Sequence, residues 1–223
     1  MRAVALGIET SGGGGSVALW IDGEMTAETL DRSGGRHARE LIPAMKRLLD
    51  AAGLTPRTVD VIGVSVGPGS FTGLRVGVAA AKTFAWATGA KVVGVPTHAV
   101  VRETVGGGGR LVVVSNAERG QLFATVFGDG EPRTAIRTPD ELIDRASGHP
   151  VVGQVPKRLL AAVAGLNWLG EGPGDPRYAP AAATVASIAA TRFEDGGPFE
   201  DPYALLPDYG RISAAEEAKR AAG

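Results

Sequence analysis

The chain has no cysteine among its 223 residues and only three histidines, so few side chains are suited to redox or metal chemistry. The absence of cysteine excludes disulfide scaffolds, thiolate metal sites and cysteine nucleophiles. His37, His98 and His149 lie far apart in the sequence, and none forms the His-x-x-x-His pair of a metal-binding helix. No local pattern marks a serine as activated, so a Ser-His-Asp triad is not predicted.

Aromatic residues and net charge are also scarce. Aromatics make up 5% of the chain, and 23 basic residues face 24 acidic ones, which gives a net charge of -1. This balance argues against a protein that wraps nucleic acid by electrostatics alone, and the few aromatic side chains offer few platforms for stacking bases. We interpret a small basic group at Arg32, Arg36 and Arg39 as a solvated loop and helix start.

Long apolar runs are absent as well. The longest, residues 76–90, is interrupted by Lys82 and is too short to span a bilayer. The N-terminal segment reaches Glu9 before it could form the apolar region of a signal peptide. We therefore expect a soluble, cytoplasmic protein without membrane contact.

Short apolar segments separated by turn residues indicate an α/β fold that is duplicated along the chain. Each half shows the order strand, strand, strand, helix, strand, helix, and the four glycines of residues 106–109 separate the halves. Hairpin-joined strands are antiparallel, whereas a strand that returns after a helix can be parallel, so each half should form a mixed sheet. We predict an N-terminal lobe at residues 1–106, a reduced second lobe at 107–200 and a partly flexible tail at 201–223.

Two glycine-rich segments are candidates for binding a phosphate or a nucleotide. One lies between an apolar strand and a helix, where backbone amides can point at an anion, and the other follows an acid at the end of the first strand. The alternative for both is a tight turn with a capping residue, and composition alone favours it. Neither segment has the spacing of a Walker or dinucleotide-binding loop. The candidate residues are Glu9, Thr10, Gly67, Gly69, Ser70, Thr72, Gly73 and Arg75.

The predicted helix from Phe71 to Thr88 has hardly any polar face, and Lys82 is one of its few charged residues. A helix that is apolar all round is buried on both sides. One side can pack on the helix's own sheet, and the other needs cover from a neighbouring element or from another chain. Gly73, Gly77 and Ala81 form a row of small residues that would allow another helix to approach closely. Internal burial and an intermolecular interface both remain open.

Several of these segments resemble the TsaB (YeaZ) family in order and spacing. The resemblance covers nearly the whole chain, is strongest up to Thr97, and is looser at residues 116–123 and at Pro202-Tyr203. Its strongest matches are Ile8-Glu9-Thr10-Ser11 with Ser16-Val17-Ala18-Leu19, His37 before Leu41-Ile42-Pro43, Gly67 to Gly73 with Leu74-Arg75-Val76-Gly77, and Val93-Gly94-Val95-Pro96-Thr97.

The resemblance implies an actin-like, Hsp70-like (ribonuclease H-like) two-lobed fold. It also implies a role in making threonylcarbamoyladenosine at the tRNA adenosine next to the anticodon. In that role the chain would be a non-catalytic scaffold that binds the catalytic sister subunit TsaD and, with it, the ATPase TsaE. Contact with tRNA would be made only through the complex. The family pairs through its two N-terminal helices, with the sister or with a second copy. Periodicity on those helices then assigns partner contacts to Leu41, Met45, Leu48, Leu74, Val78 and Lys82.

The two metal-binding histidines that the resemblance implies for the sister subunit are not matched here. His98 is displaced from the first position, and no second histidine follows four residues later. We therefore predict no catalytic residue, no metal and no cofactor. The rival hypothesis is an actin-like ATPase or a peptidase-like enzyme, which would need Glu9 and the loop at residues 67–73 to hold a phosphate, or a nucleophile that no motif marks. A third hypothesis, a direct tRNA-binding module, lacks a basic stripe.

Overall fold

The computed structural model describes residues 3–12, 14–30, 37–106, 108–146 and 148–210, and these form two mixed β-sheets with five α-helices. In each sheet three antiparallel strands are followed by a helix and then by a strand parallel to the first of the three. The predicted α/β class, the mixed sheets and the repeated order are therefore confirmed through this fourth strand of each half. No helix in these ranges is both long and apolar enough to cross a membrane.

The first sheet has the order β3-β2-β1-β4-β5. Asp22 and Gly23 join β2 to β3 with φ angles of 50° and 90°, and this left-handed conformation at both positions favours a tight hairpin. β1 pairs antiparallel with β2 and parallel with β4, so β1 is the centre of the sheet. The strands are β1 Val4–Glu9, β2 Gly15–Ile21, β3 Glu24–Leu30, β4 Val61–Gly67 and β5 Lys91–Pro96.

Helices α1 (His37–Ala51) and α2 (Phe71–Thr88) cover one face of this sheet. α1 packs on β2 and β3, and α2 packs mainly on β4 and β5, so their apolar stripes close the main core of the chain. α2 begins at the cap Ser70 and ends at Gly89, which has a left-handed φ of 84°. The row of small residues on α2 faces this sheet: a Cβ on Gly77 would meet Thr10 Oγ1 at 2.3 Å.

The opposite face of the first sheet is covered by α5 (Ala182–Glu194), which lies very close to the strands. Gly7 on β1 and Gly63 on β4 are paired in register, and together they leave space for this helix. A Cβ on Gly7 would lie 2.3 Å from the carbonyl oxygen of Ala182 and 2.7 Å from the amide nitrogen of Ala186. The glycines are therefore required by the contact between main chains.

The second sheet has the order β8-β7-β6-β9 and carries a short helix, α4 (Pro139–Arg145), on one face. α4 begins with a capping box, in which the Thr138 and Glu141 side chains each accept from the other residue's amide. Where the sequence favours a helix after β9, the chain forms two 3₁₀ turns at residues 157–163. The strands are β6 Leu111–Asn116, β7 Leu122–Phe127, β8 Arg133–Arg137 and β9 Val151–Gly153.

The predicted lobe boundaries need a correction at their C-terminal end. The predicted second lobe at 107–200 includes α5, but α5 packs on the first sheet. Residues 200–210 contact that sheet as well. Glu200 donates its amide to Val92 O on β5, Asp208 donates its amide to Val66 O on β4, and Leu205 is buried in the main core. We call residues 200–210 the C-terminal strap. The expected flexibility of residues 211–223 lies outside the described residues.

The joint between the lobes contains α3 (Thr97–Val105), which follows β5 directly. α3 packs on β4, on β5 and on β6 of the second sheet. Its first turn is buried, with Thr97 and His98 each at most 3% exposed. The two sheets therefore meet through α3, and the groups at its N-terminus lie at the base of the space between them.

Candidate functional site

A cleft of about 1070 Å³ separates the two lobes and is lined by residues of both. The first lobe contributes the turn after β1, the loop before α2 and the start of α3. The second lobe contributes the ends of β6 and β9 and the loop before β7. Side chains from both lobes therefore face one space, which is where a two-lobed α/β fold can bind a ligand.

Glu9 lies behind the wall of this cleft and does not line it. It is 2% exposed, and its carboxylate accepts from the Ser11 amide and hydroxyl, both at 2.5 Å, and from the Ser65 hydroxyl. Burial raises the pKa of Glu9, while these hydrogen bonds act in the opposite direction. The carboxylate thus joins β1, its turn and β4, and both of its oxygens are already used within the protein.

The loop at residues 67–73 packs tightly against the turn after β1. The Ser70 amide donates to the Ser11 carbonyl at 2.7 Å, and the Ser70 hydroxyl caps α2 by accepting from the Gly73 amide at 3.3 Å. A Cβ on Gly73 would lie 1.9 Å from the Thr10 carbonyl oxygen, so only glycine allows this approach. The close packing of these two turns and the capping serine are enough to explain the glycines of the loop, and no bound ligand is needed.

The eight predicted loop residues separate into two groups in the structure. Gly69, Ser70, Thr72 and Arg75 line the cleft, whereas Glu9, Thr10, Gly67 and Gly73 do not. Phosphate binding at the four that line it stays a prediction.

Arg75, the cation expected to meet a phosphate, contacts aromatic side chains at the mouth of the cleft. Its guanidinium lies 3.9 Å from the centroid of the Phe71 ring, and its Nε donates to the Tyr209 hydroxyl at 2.9 Å. The rings of Phe71 and Tyr209 are 4.6 Å apart between centroids. The strap therefore closes one side of the cleft through this stack, a contact that the sequence pattern did not indicate.

His98 forms a buried polar link between the lobes. Its Nδ1 lies 2.7 Å from Thr125 Oγ1 on β7, and its Nε2 lies 2.9 Å from Ser115 Oγ on β6. Burial lowers the pKa of His98 to about 3, so the ring is neutral at physiological pH. Thr97 Oγ1 beside it is buried and has no hydrogen-bond partner among the described residues. No sequence signal reveals this group, because its members are up to 28 residues apart.

Metal-ligating side chains do not converge in the part of the chain that the structure describes. No group there of three or more His, Asp or Glu residues could hold a metal ion. His98, the only histidine of the cleft lining, already contacts two hydroxyl groups.

The predicted partner residues of α1 and α2 lie mainly inside the first lobe. Five of the six are buried in the chain's own core, which corrects the expectation that they face a partner. The physical reason is that helical periodicity marks the buried face of a helix without saying what buries it. Lys82, the sixth, donates from Nζ to the carbonyls of Tyr203 and Leu205 in the strap. The five buried residues are Leu41, Met45, Leu48, Leu74 and Val78.

A different set of apolar side chains is exposed on the outside of the first lobe. On α2, Phe71 and Trp86 project outward, and the Trp86 side chain is 70% exposed. Tyr203 and Leu206 of the strap are exposed too, and Lys82, one helical turn before Trp86, donates to carbonyls of the strap. We call Phe71, Trp86, Tyr203 and Leu206 the exposed apolar face. Large apolar side chains exposed along one helix and the adjacent strap are typical of an interaction surface.

Comparisons with known proteins agree with this architecture. The chain is 32% identical to the tRNA threonylcarbamoyladenosine biosynthesis protein TsaB of Bacillus subtilis over 128 residues, which are 55% of this chain and 54% of that protein. It is 27% identical to the Escherichia coli protein of the same name over 150 residues, 63% of this chain and 64% of that one. The chain thus spans between half and two thirds of the length of these curated relatives.

A solved structure and a family model extend the comparison. YeaZ from Pseudomonas aeruginosa superposes with a TM-score of 0.73 at 24% identity, covering 93% of this chain and 99% of that one. This likeness confirms the predicted actin-like, two-lobed fold. Residues 31–146, just over half of the chain, match the model described as "TsaD: tRNA N6-adenosine threonylcarbamoyltransferase". The chain belongs to the TsaD-related TsaB (YeaZ) family. For this family member, the cleft and the exposed apolar face are two candidate surfaces for function.

Proposed function

We propose that the chain is a non-catalytic subunit in the biosynthesis of threonylcarbamoyladenosine on tRNA, acting in the cytoplasm. It binds a TsaD-like catalytic subunit and, with it, a TsaE-like ATPase. The relatives in Bacillus subtilis and Escherichia coli are named for this biosynthesis. The observation that carries the proposal is the exposed apolar face, because a chain that works by holding another subunit needs such a surface.

The cleft supports the non-catalytic part of the proposal. Glu9 is enclosed by serine side chains, Arg75 stacks on Phe71 and Tyr209, and His98 is held neutral between two hydroxyls. The groups that an actin-like ATPase would use are thus engaged within the protein. The rival, an enzyme in its own right, would have to displace these contacts before it could act.

Docking through α2 is the specific form of this proposal. Trp86 lies near the C-terminal end of α2, and Phe71 starts the same helix, so a partner helix laid along α2 could contact both. Tyr203 and Leu206 of the strap would widen that contact. A second copy of the chain would use the same face when the catalytic subunit is absent.

The test measures capture of the TsaD-like protein from the same organism by the purified chain. We expect Trp86→Glu to weaken capture by about 30-fold or more, because a buried interface tryptophan is commonly worth 2 kcal/mol or more. The matched control is Leu160→Glu, which places the same charge at an exposed apolar residue of the second lobe. Equal capture by both variants would remove α2 from the interface.

A second experiment tests the role in tRNA modification. Deleting the gene should remove threonylcarbamoyladenosine from bulk tRNA, and the wild-type chain should restore it where Trp86→Glu does not. Unchanged modification after deletion would refute the proposed function. Transfer of the threonylcarbamoyl group by the chain alone, or ATP turnover by it, would favour the enzyme hypothesis.

A further inference from the structure

The second lobe carries a groove of about 860 Å³ in which arginine side chains from several elements meet. The groove lies between the edge strand β8, helix α4 and the turn after β7, on the side of the sheet where α4 packs. Four guanidinium groups and one imidazole line it, against two carboxylates. Its ionisable residues are Arg110, Asp129, Glu131, Arg133, Arg137, Arg145 and His149. We call this set the arginine groove.

The surplus of positive charge in the groove is local. The whole chain has a net charge of -1, so the arginine groove is a separated basic region on a nearly neutral protein. One acid is already engaged: Arg110 donates from Nε to the Asp129 carboxylate and contacts His149 Nε2 at 3.3 Å. That guanidinium, together with His149 and Arg145, lowers the pKa of Asp129. These four side chains therefore share one electrostatic environment.

Two arginines of the groove have no carboxylate within ion-pair distance among the described residues. Within the described residues, neither Arg133 nor Arg145 forms an ion pair, and both are exposed. Arg137, in the same described part of the chain, donates to the carbonyl of Ile136. Guanidinium groups without a carboxylate remain available to an anion from outside, and their planar donors match phosphate oxygens.

Protection of the sheet edge alone does not explain this arrangement. Charged residues on an edge strand such as β8 prevent pairing with another chain, and Arg133 and Arg137 would suffice for that purpose. Arg110 precedes β6, Arg145 ends α4 and His149 follows it, and none of the three lies on the edge strand. Their convergence on the same groove points to a ligand.

The spacing in the groove favours a polymer over a single small anion. Arg133 and Arg137 are four residues apart on β8, so their Cα atoms are separated by about 13 Å. One phosphate group would be close to only one end of that span. Among the described residues, the groove lining contains no aromatic side chain, so bases would find no stacking platform there and the backbone would be the part recognised.

We propose that the arginine groove binds the phosphate backbone of an RNA strand without reading its sequence. The choice of tRNA as that RNA rests on the proposed function. The second lobe would then contact the tRNA directly while the first lobe holds the catalytic subunit. This reverses the expectation that tRNA is met only through other subunits.

The test measures binding of a fluorescein-labelled unmodified tRNA transcript to the full chain by anisotropy, over a series of salt concentrations. The groove variant is Arg133→Ala with Arg145→Ala. The matched control is Arg57→Ala with Arg158→Ala, which removes the same charge from exposed sites outside the groove. Melting curves of both variants serve to check that each one folds.

We expect the groove variant to bind tRNA about 10-fold or more weakly than the control. The slope of its log affinity against log salt concentration should be shallower by the amount that about two lost phosphate contacts produce. Equal losses in both variants, or no measurable binding by the wild-type chain, would overturn the proposal. Displacement of tRNA by equimolar inorganic phosphate would show a small-anion site and would overturn it as well.

The two proposals fail in different ways. The groove variant should still capture the TsaD-like subunit, because the groove and the exposed apolar face are on different lobes. Loss of capture with unchanged tRNA binding would make the groove a protein contact and refute the RNA proposal. If the wild-type chain binds tRNA through the groove but deletion of its gene leaves the tRNA modification intact, the proposed function fails and the groove assignment stands.

Discussion

Replacing Gly7 by alanine tests the close contact between β1 and α5. In a strand interior, alanine is intrinsically better than glycine by roughly 0.5–1 kcal/mol, so propensity alone predicts a more stable protein. The structure predicts the opposite sign. The new Cβ would lie 2.3 Å from Ala182 O, 2.7 Å from Ala186 N and 2.9 Å from Ala186 Cβ. Two of these atoms are main chain, so α5 as a whole would have to move.

The expected size follows from known costs of overpacking. Extra atoms in a packed core cost about 1–3 kcal/mol, and main-chain contacts leave little room to relax, so we expect a loss of at least about 2 kcal/mol. In a chain of this size that corresponds to a melting temperature lower by about 4–8 °C. Gly63→Ala, whose Cβ would approach no atom closer than 2.9 Å, should cost less.

The assay is urea unfolding followed by circular dichroism, with Gly165→Ala as control. Nothing lies within 4 Å of a Cβ at Gly165, so its free energy of unfolding should change by no more than about 0.5 kcal/mol. If Gly7→Ala unfolds at the same or a higher urea concentration than wild type, α5 does not lie on β1 as described here.

Three further predictions concern the cleft and the strap. The His98 imidazole should show no NMR titration between pH 6.5 and about pH 3. Because only the unfolded chain binds the proton in that pH range, the wild type should gain stability relative to His98→Gln as pH rises through it. An imidazole transition near pH 6.5 would refute this. Because burial raises the pKa of Glu9, the wild type should lose stability relative to Glu9→Gln as pH rises from the ordinary carboxyl pKa through the raised pKa. Urea midpoints of the two proteins that differ by the same amount at every pH would contradict this. Tyr209→Leu should cost about 1 kcal/mol through its lost ring contact with Phe71, whereas Tyr203→Leu, which has no ring contact within the described residues, should be nearly neutral in the same unfolding assay.

The sequence predicted the local order of the fold because that order depends on neighbouring residues. The apolar periods, the Asp22-Gly23 turn and the capping box at Thr138 each act within a few residues, and all are present in the structure. The assignment of α5 to the second lobe failed because periodicity shows that a helix has an apolar face, but not which sheet the face covers. Gly7 and Gly63 were the signal: two glycines in strands indicate close approach of another main chain.

The candidate site was less accessible to sequence reasoning for a similar reason. Leu41 and Val78 belong to the regular stripe of their helices, and a regular stripe is what a chain's own core produces. Trp86 lies off that stripe, and an apolar residue in that position is the better sign of a partner. The link from His98 to Ser115 and Thr125 joins three separate elements, so only the folded chain reveals it.

The position of α5 also has a consequence for synthesis of the protein. The first sheet is complete in sequence once β5 has been made, but one of its faces stays bare until residues 182–194 leave the ribosome. The second lobe is translated in between and has a core of its own. The first lobe, whose synthesis begins first, is therefore completed last. While roughly 85 further residues are added, the nascent chain exposes one apolar face of the first sheet, a surface of the kind that chaperones recognise.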